Sequence, residues 1–122
     1  MSKHIVDKII NNYQTKKKFY IGEKVTISDH MIQTAMLAEK NRSSKSLICA
    51  CLLHDYGLFL IEDPDLLVLK SWDGKHEDVG FDFLKDYFKP EVSEPIKLHV
   101  QAKRLRIYFY LSYLMWLIQY KC

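Results

Sequence analysis

The sequence predicts an all-α protein, a bundle of about five to six helices. Three observations carry that reading. Apolar residues recur at three- and four-residue spacing in successive segments. Short polar links or Gly and Pro punctuation separate those segments. No segment alternates with the period of two that a half-buried strand requires.

The first helix covers about residues 3–14, where Ile5, Ile9, Ile10 and Tyr13 share one side. A polar break at 15–18 and a turn at Gly22 follow. Thr26 then reads as an N-cap with Asp29 three residues on, a weak capping box. The second helix runs to about Lys40 with Ile27, Met31, Ala35 and Ala38 on its apolar stripe, and His30 lies at the edge of that stripe. Ser43 or Ser44 caps the third helix, which runs to about Asp55. Its apolar run, 47–53, ends in His54 and Asp55, and Gly57 is expected near the left-handed C-cap position. Residues 58–71 contain Pro64 and no sustained period, so a loop with one or two short turns is expected. A turn at 72–76 leads into a fourth helix, about 76–88, with Val79, Phe83, Leu84 and Phe88 inward. Pro90 is expected to end it and Ser93 to cap a fifth helix, with Pro95 tolerated near the first turn.

The bulk properties exclude several classes. The 122 residues suffice for one domain with one modest core. A net charge of +3, with lysines scattered apart from 16–18, is too mild to indicate a nucleic-acid partner. No Rossmann, P-loop or zinc-ribbon pattern is present. The N-terminal stretch has no apolar core of a signal peptide, and the odd count of three cysteines suits reduced thiols, so a cytoplasmic protein is expected.

From Leu105 the character changes. Residues 105–122 carry no acidic side chain and are dense in Leu, Ile, Tyr, Phe, Trp and Met. The apolar run 107–118 is about 12 residues, against the roughly 20 that a spanning helix needs. A final core helix and an interfacial anchor flanked by Arg104, Arg106 and Lys121 are two readings of this stretch.

His4 aside, the histidines His30, His54, His76 and His99 are separated by 24, 22 and 23 residues, and each falls on a different predicted helix. Consecutive helices of an up-and-down bundle are neighbours, so one ligand from each can converge on the centre. Asp55 adds a carboxylate able to bridge two ions. Four imidazoles and a carboxylate exceed what one tetrahedral zinc needs, and the mix suits iron, manganese, zinc or a pair of such ions. The alternative is four histidines in unrelated polar networks.

Further phrases accompany this pattern: Tyr20-Ile21-Gly22-Glu23, Leu52-Leu53-His54-Asp55-Tyr56-Gly57, Gly74-Lys75-His76-Glu77-Asp78-Val79-Gly80, and the stretch from Glu94 through His99 to Arg104. Together they resemble the HD-domain superfamily of metal-dependent phosphohydrolases over about residues 15–104. Within it they are more similar to the mixed-valent diiron oxygenases, a branch that includes the enzymes cleaving carbon–phosphorus bonds of small hydroxy-aminoalkylphosphonates and also the myo-inositol oxygenases. The resemblance implies an HD helical bundle holding two iron ions, Fe(II) and Fe(III), or another divalent metal. It implies that His30, His54 and Asp55 bind the first ion, that Asp55 bridges, and that His76 and His99 bind the second. Tyr20 resembles a phenol that holds an open iron position until substrate displaces it, and Glu23 the residue that moves with it. Lys103 would hold the phosphonate. The implied reaction uses O2 to remove a hydrogen from the substrate carbon and releases phosphate.

Two departures stand out. Leu58 occupies a position where the phosphonate oxygenases have a substrate-contacting histidine. The family's final Asp ligand has no counterpart, because no Asp follows Asp86 and no Glu follows Glu94. Residues 1–104 therefore read as an incomplete metal-binding helical domain and 105–122 as a divergent tail, the expected product of a truncation or frameshift. An HD-type phosphohydrolase acting on a phosphorylated small molecule is the alternative activity. A non-catalytic remnant, with its tail driving self-association or membrane contact, is the third reading.

Overall fold

The computed structural model describes residues 3–16, 19, 24–61 and 75–121, the last stretch by backbone alone from residue 106. Among the described residues there are six helices and no strand: α1 Lys3–Thr15, α2 Ile27–Lys40, α3 Lys45–Leu53, α4 Gly57–Leu60, α5 His76–Leu84 and α6 Pro90–Lys121. The expected all-α bundle is the observed architecture.

Local chemistry sets the helix starts as read from the sequence. The Thr26 hydroxyl accepts the Asp29 amide at 3.1 Å, and the Ser44 hydroxyl accepts the Leu47 amide at 3.1 Å. Each satisfies one backbone donor that the first helical turn leaves unpaired. Ser44→Ala is expected to cost about 1 kcal/mol. Chemical denaturation would show this as a lower midpoint at unchanged slope; an unchanged midpoint would mean that the cap does not hold α3.

Packing then gathers the helices around one core. Met31 from α2, Leu53 from α3, Tyr56 after it, Phe59 from α4, Leu84 from α5 and Ile96 from α6 are all buried in one cluster. Tyr56 stands between the rings of Phe59 and Phe83, at centroid distances of 5.6 and 5.8 Å. Helix α1 closes this core from one side. It contributes Ile5 and Ile9, and its Asn12 amide donates to the Tyr56 hydroxyl. The Tyr13 hydroxyl donates to the Leu52 carbonyl, and Lys16 Nζ donates to the Phe59 carbonyl at 2.7 Å. Burial pushes the Tyr13 phenol well above the usual tyrosine range, so it remains a neutral donor throughout the physiological range.

Three boundaries differ from the sequence expectation. Helix α3 stops at Leu53, and the chain turns through residues 54–56 before Gly57 opens a new short helix rather than capping the old one. Gly57 has no left-handed backbone; it is small because Gly80 and the His76 carbonyl lie against it. Helix α5 ends at Leu84, where the Tyr87 and Phe88 amides both bond back to the Leu84 carbonyl and tighten the chain into a turn. Pro90 then begins α6 instead of ending α5. Its missing N–H costs nothing at a first helical position, and Lys89 takes the capping role with its carbonyl accepting from Val92 and Ser93.

Helix α6 continues as unbroken backbone to Lys121, so the compositional change at Leu105 is not a break in secondary structure. Among the described residues no helix is long and apolar enough to cross a membrane.

Candidate metal centre

Four helices deliver one imidazole each. His30 lies in the first turn of α2, His54 directly follows α3, His76 opens α5, and His99 lies in the third turn of α6. Asp55 sits in the turn between α3 and α4. The buried ring of Tyr56 next to it, and the Leu58 amide bonded to the Asp55 carbonyl at 2.9 Å, fix that turn. The Asp55 side chain is 2% exposed.

The five side chains form two triangles that share the carboxylate. On one side, His30 Nε2 and His54 Nε2 are 3.1 Å apart and stand 3.2 and 3.1 Å from Asp55 Oδ2. On the other, His76 Nε2 and His99 Nε2 are 3.1 Å apart and stand 3.0 and 3.2 Å from Asp55 Oδ1. Donors about 2.1 Å from a common cation and at right angles to one another are about 3.0 Å apart; a tetrahedral arrangement spreads them to about 3.4 Å. Both triangles match the face of an octahedron, two histidines and one carboxylate with further positions open. That donor set is typical of non-haem iron sites that use oxygen.

The hydrogen bonds beyond the triangles fix which nitrogen faces inward. His54 Nδ1 donates to the Cys51 carbonyl and His99 Nδ1 to the Ile96 carbonyl, both at 2.6 Å. With the proton on Nδ1, each Nε2 lone pair is turned on the carboxylate. Lone pairs this close repel unless a cation or proton lies between them. Asp55 Oδ2 is buried and faces the His30 and His54 Nε2 atoms, the setting of an oxygen that shares a cation with them. The residues present therefore fit a pair of metal ions.

Without metal, protons take that role. Burial works against the charged Asp55 carboxylate, but hydrogen bonds from His30, His54, His76 and His99 hold it far below the usual carboxylate range. Burial likewise disfavours a charged His99, but its bonds to Asp55 and the Ile96 carbonyl win and raise its pKa. A raised histidine pKa stabilises the fold below about pH 6.5, and this contribution is lost as pH rises through the folded value. Metal binding runs the opposite way, because His99 must give up its inward proton before Nε2 can ligate. As pH rises from about 6.5 the metal-free protein is expected to lose stability while metal affinity climbs. Thermal melts and metal titrations across that range check both slopes; parallel slopes would mean that protons and metal do not compete for this cluster.

A cavity of about 300 Å³ opens beside His54 and His99, walled by Leu47, Ala50, Leu98 and Ala102. Lys103 lies one turn after His99 on the exposed side of α6. Tyr20 and Glu23 fall outside the described residues, so their sequence-assigned roles are not located. The sequence reading missed Glu77, whose carboxylate Oε2 lies 3.7 Å from His76 Nδ1. The adjacency of His76 and Glu77 at a helix start was the available signal.

The chain has relatives among known proteins. A model of the HD domain family matches residues 27–112, a span that contains all five clustered residues. The chain is similar to a 1-hydroxy-2-(trimethylamino)ethylphosphonate dioxygenase (glycine-betaine-forming) of Leisingera caerulea, with 36% identity over 70% of this chain and 43% of that protein. It is similar to a hydroxymethylphosphonate dioxygenase of Gimesia maris, with 41% identity over 72% of this chain and 44% of that protein. An uncharacterised protein of Acanthamoeba polyphaga mimivirus shares 35% identity over 88% of this chain and 51% of its own length. The chain thus spans about half the length of the curated relatives it matches.

Proposed function

Starting from the chain's membership of the HD domain family, we propose that it carries the metal centre of an oxygen-dependent enzyme that cleaves the carbon–phosphorus bond of a small hydroxyphosphonate. The observation that carries this reading is the pair of two-histidine, one-carboxylate triangles joined through Asp55. In this reading His30, His54 and Asp55 Oδ2 hold one iron, and His76, His99 and Asp55 Oδ1 hold the other. The two dioxygenase relatives, both named for hydroxyphosphonates, support the choice of chemistry.

The iron pair supplies the redox chemistry with O2 when bound. The chain's own groups do the rest. Asp55 would offer one carboxylate oxygen to each ion. The Cys51 and Ile96 carbonyls hold the His54 and His99 rings in the tautomer that presents Nε2. Lys103, one turn beyond His99, supplies a point charge for the phosphonate. Tyr20 and Glu23 are assigned to the entry side by resemblance. Leu58, buried in α4 where a substrate-contacting histidine stands in the resembled enzymes, argues for a substrate held without that contact. Residues 1–104 act as the metal-binding unit in this reading, residues 105–122 as a divergent appendage, and the protein works in the cytoplasm.

The test is phosphate release by iron-loaded protein. Hydroxymethylphosphonate is expected to yield phosphate only with O2 present, and His54→Ala is expected to abolish the yield. Release of phosphate from a phosphate monoester, equal with and without O2, would replace the oxygenase reading with a hydrolase.

A further inference from the structure

The clustered histidines are not all held alike. His54 and His99 each donate a hydrogen bond from Nδ1 to a carbonyl three residues back, Cys51 in α3 and Ile96 in α6. His76 has no such option, because it is the first residue of α5 and no helical turn precedes it. What stands beside its Nδ1 is the Glu77 carboxylate, with Oε2 at 3.7 Å. That oxygen is buried and has no hydrogen-bond partner among the described residues.

An acidic residue in the first turn of a helix usually needs no explanation, since it faces the positive end of the helix dipole from water. Asp78 serves that role here as well. Glu77 differs because its side chain is 14% exposed and one oxygen is enclosed. Enclosing a carboxylate oxygen without a partner is costly, and more so when it is charged. A cation on Nε2 would draw electron density from the ring and make the Nδ1 proton more acidic. The gap to Oε2 then has a reason to close to a charge-assisted hydrogen bond.

We propose that Glu77 is the positioning residue for His76, and that its carboxylate strengthens the hold of the His76/His99 position on its metal. This rests on the metal-centre reading above. Carboxylate-backed histidines are better donors than carbonyl-backed ones, and loss of such a partner typically weakens metal binding about 10–100-fold.

Cobalt(II) titration of the metal-free full chain, read by its visible absorption, tests this directly. The wild type is expected to bind in two steps. Glu77→Ala is expected to weaken one of the two steps by about 10–100-fold, leave the other within about twofold, and leave the metal-free protein no less stable than the wild type. Glu77→Gln, which keeps an acceptor and loses the charge, is expected to fall between. In a His76→Ala background the Glu77 substitutions are expected to add nothing, whereas in His54→Ala their effect persists. Equal weakening of both steps, an undiminished effect in the His76→Ala background, or no weakening would overturn the assignment. A wild type that binds no cobalt at all would overturn the metal-centre reading itself, and with it this one.

Discussion

Asp55→Asn is expected to abolish both metal positions at once, whereas His54→Ala or His99→Ala removes only one. The difference comes from the shared carboxylate. Oδ1 faces His76 and His99, and Oδ2 faces His30 and His54. Asparagine keeps the shape but presents one neutral oxygen and one NH2 group. The NH2 group cannot ligate a cation, so one triangle loses its oxygen donor outright. The other keeps a neutral oxygen with far less attraction for a divalent ion. Losing a partner behind a ligand costs about 10–100-fold, so losing the anionic ligand itself is expected to exceed 100-fold at each position. Elemental analysis after dialysis against metal-free buffer reads the outcome, with circular dichroism as the check on folding. The wild type should retain about two metals per chain, the histidine variants about one, and Asp55→Asn almost none. A folded Asp55→Asn protein that keeps a full metal would show that the carboxylate is not shared.

The convergence of this site was legible because it depends on features that sequence encodes well. His30, His54, His76 and His99 each fall on a separate amphipathic segment near its apolar edge, and antiparallel packing of such segments brings those edges together. How the donors divide between the two carboxylate oxygens depends on side-chain torsions, which no spacing rule fixes. At the sequence level the pairing therefore rested on family resemblance alone. The contribution of Glu77 was hidden for a different reason. An acid after a helix-opening histidine looks like ordinary dipole compensation until its burial is known.

The same division runs through the fold. The Thr26 and Ser44 caps were readable because a cap is a contact between residues three apart in the chain. The end of α5 and the start of α6 were not, because two cues conflicted at Pro90. A proline can end one helix or open the next. The choice was settled by the turn at 85–88, which leaves Phe88 packed against the core cluster. The tail illustrates the limit of composition. Its change at Leu105 is real in sequence, yet the backbone of α6 runs through it without interruption.

Gly57 was singled out for the wrong physical reason, and the correct one yields the second large prediction. A left-handed cap would make Gly57→Ala costly through backbone strain alone. The observed constraint is steric. An added Cβ would lie 2.0 Å from the His76 carbonyl oxygen and 2.9 Å from the Gly80 amide nitrogen. Both are backbone atoms, so no side chain can rotate to make room. Relief requires α4 and the start of α5 to separate, and His76, the first residue of α5, moves with that separation. Its Nε2 stands 3.0 Å from Asp55 Oδ1, so the same shift opens the second metal triangle. Gly57→Ala is expected to destabilise the fold by about 3 kcal/mol or more, a loss of roughly 10–20 °C in melting temperature. Gly80→Ala is the contrasting control. Its Cβ would meet the Gly57 nitrogen at 3.1 Å, and alanine's better helix propensity, worth up to about 1 kcal/mol, offsets part of that crowding. It should cost about 1 kcal/mol or less and leave both metals bound. If Gly57→Ala melts within about 2 °C of the wild type, the α4–α5 contact is not what fixes His76, and some other packing must hold it against Asp55.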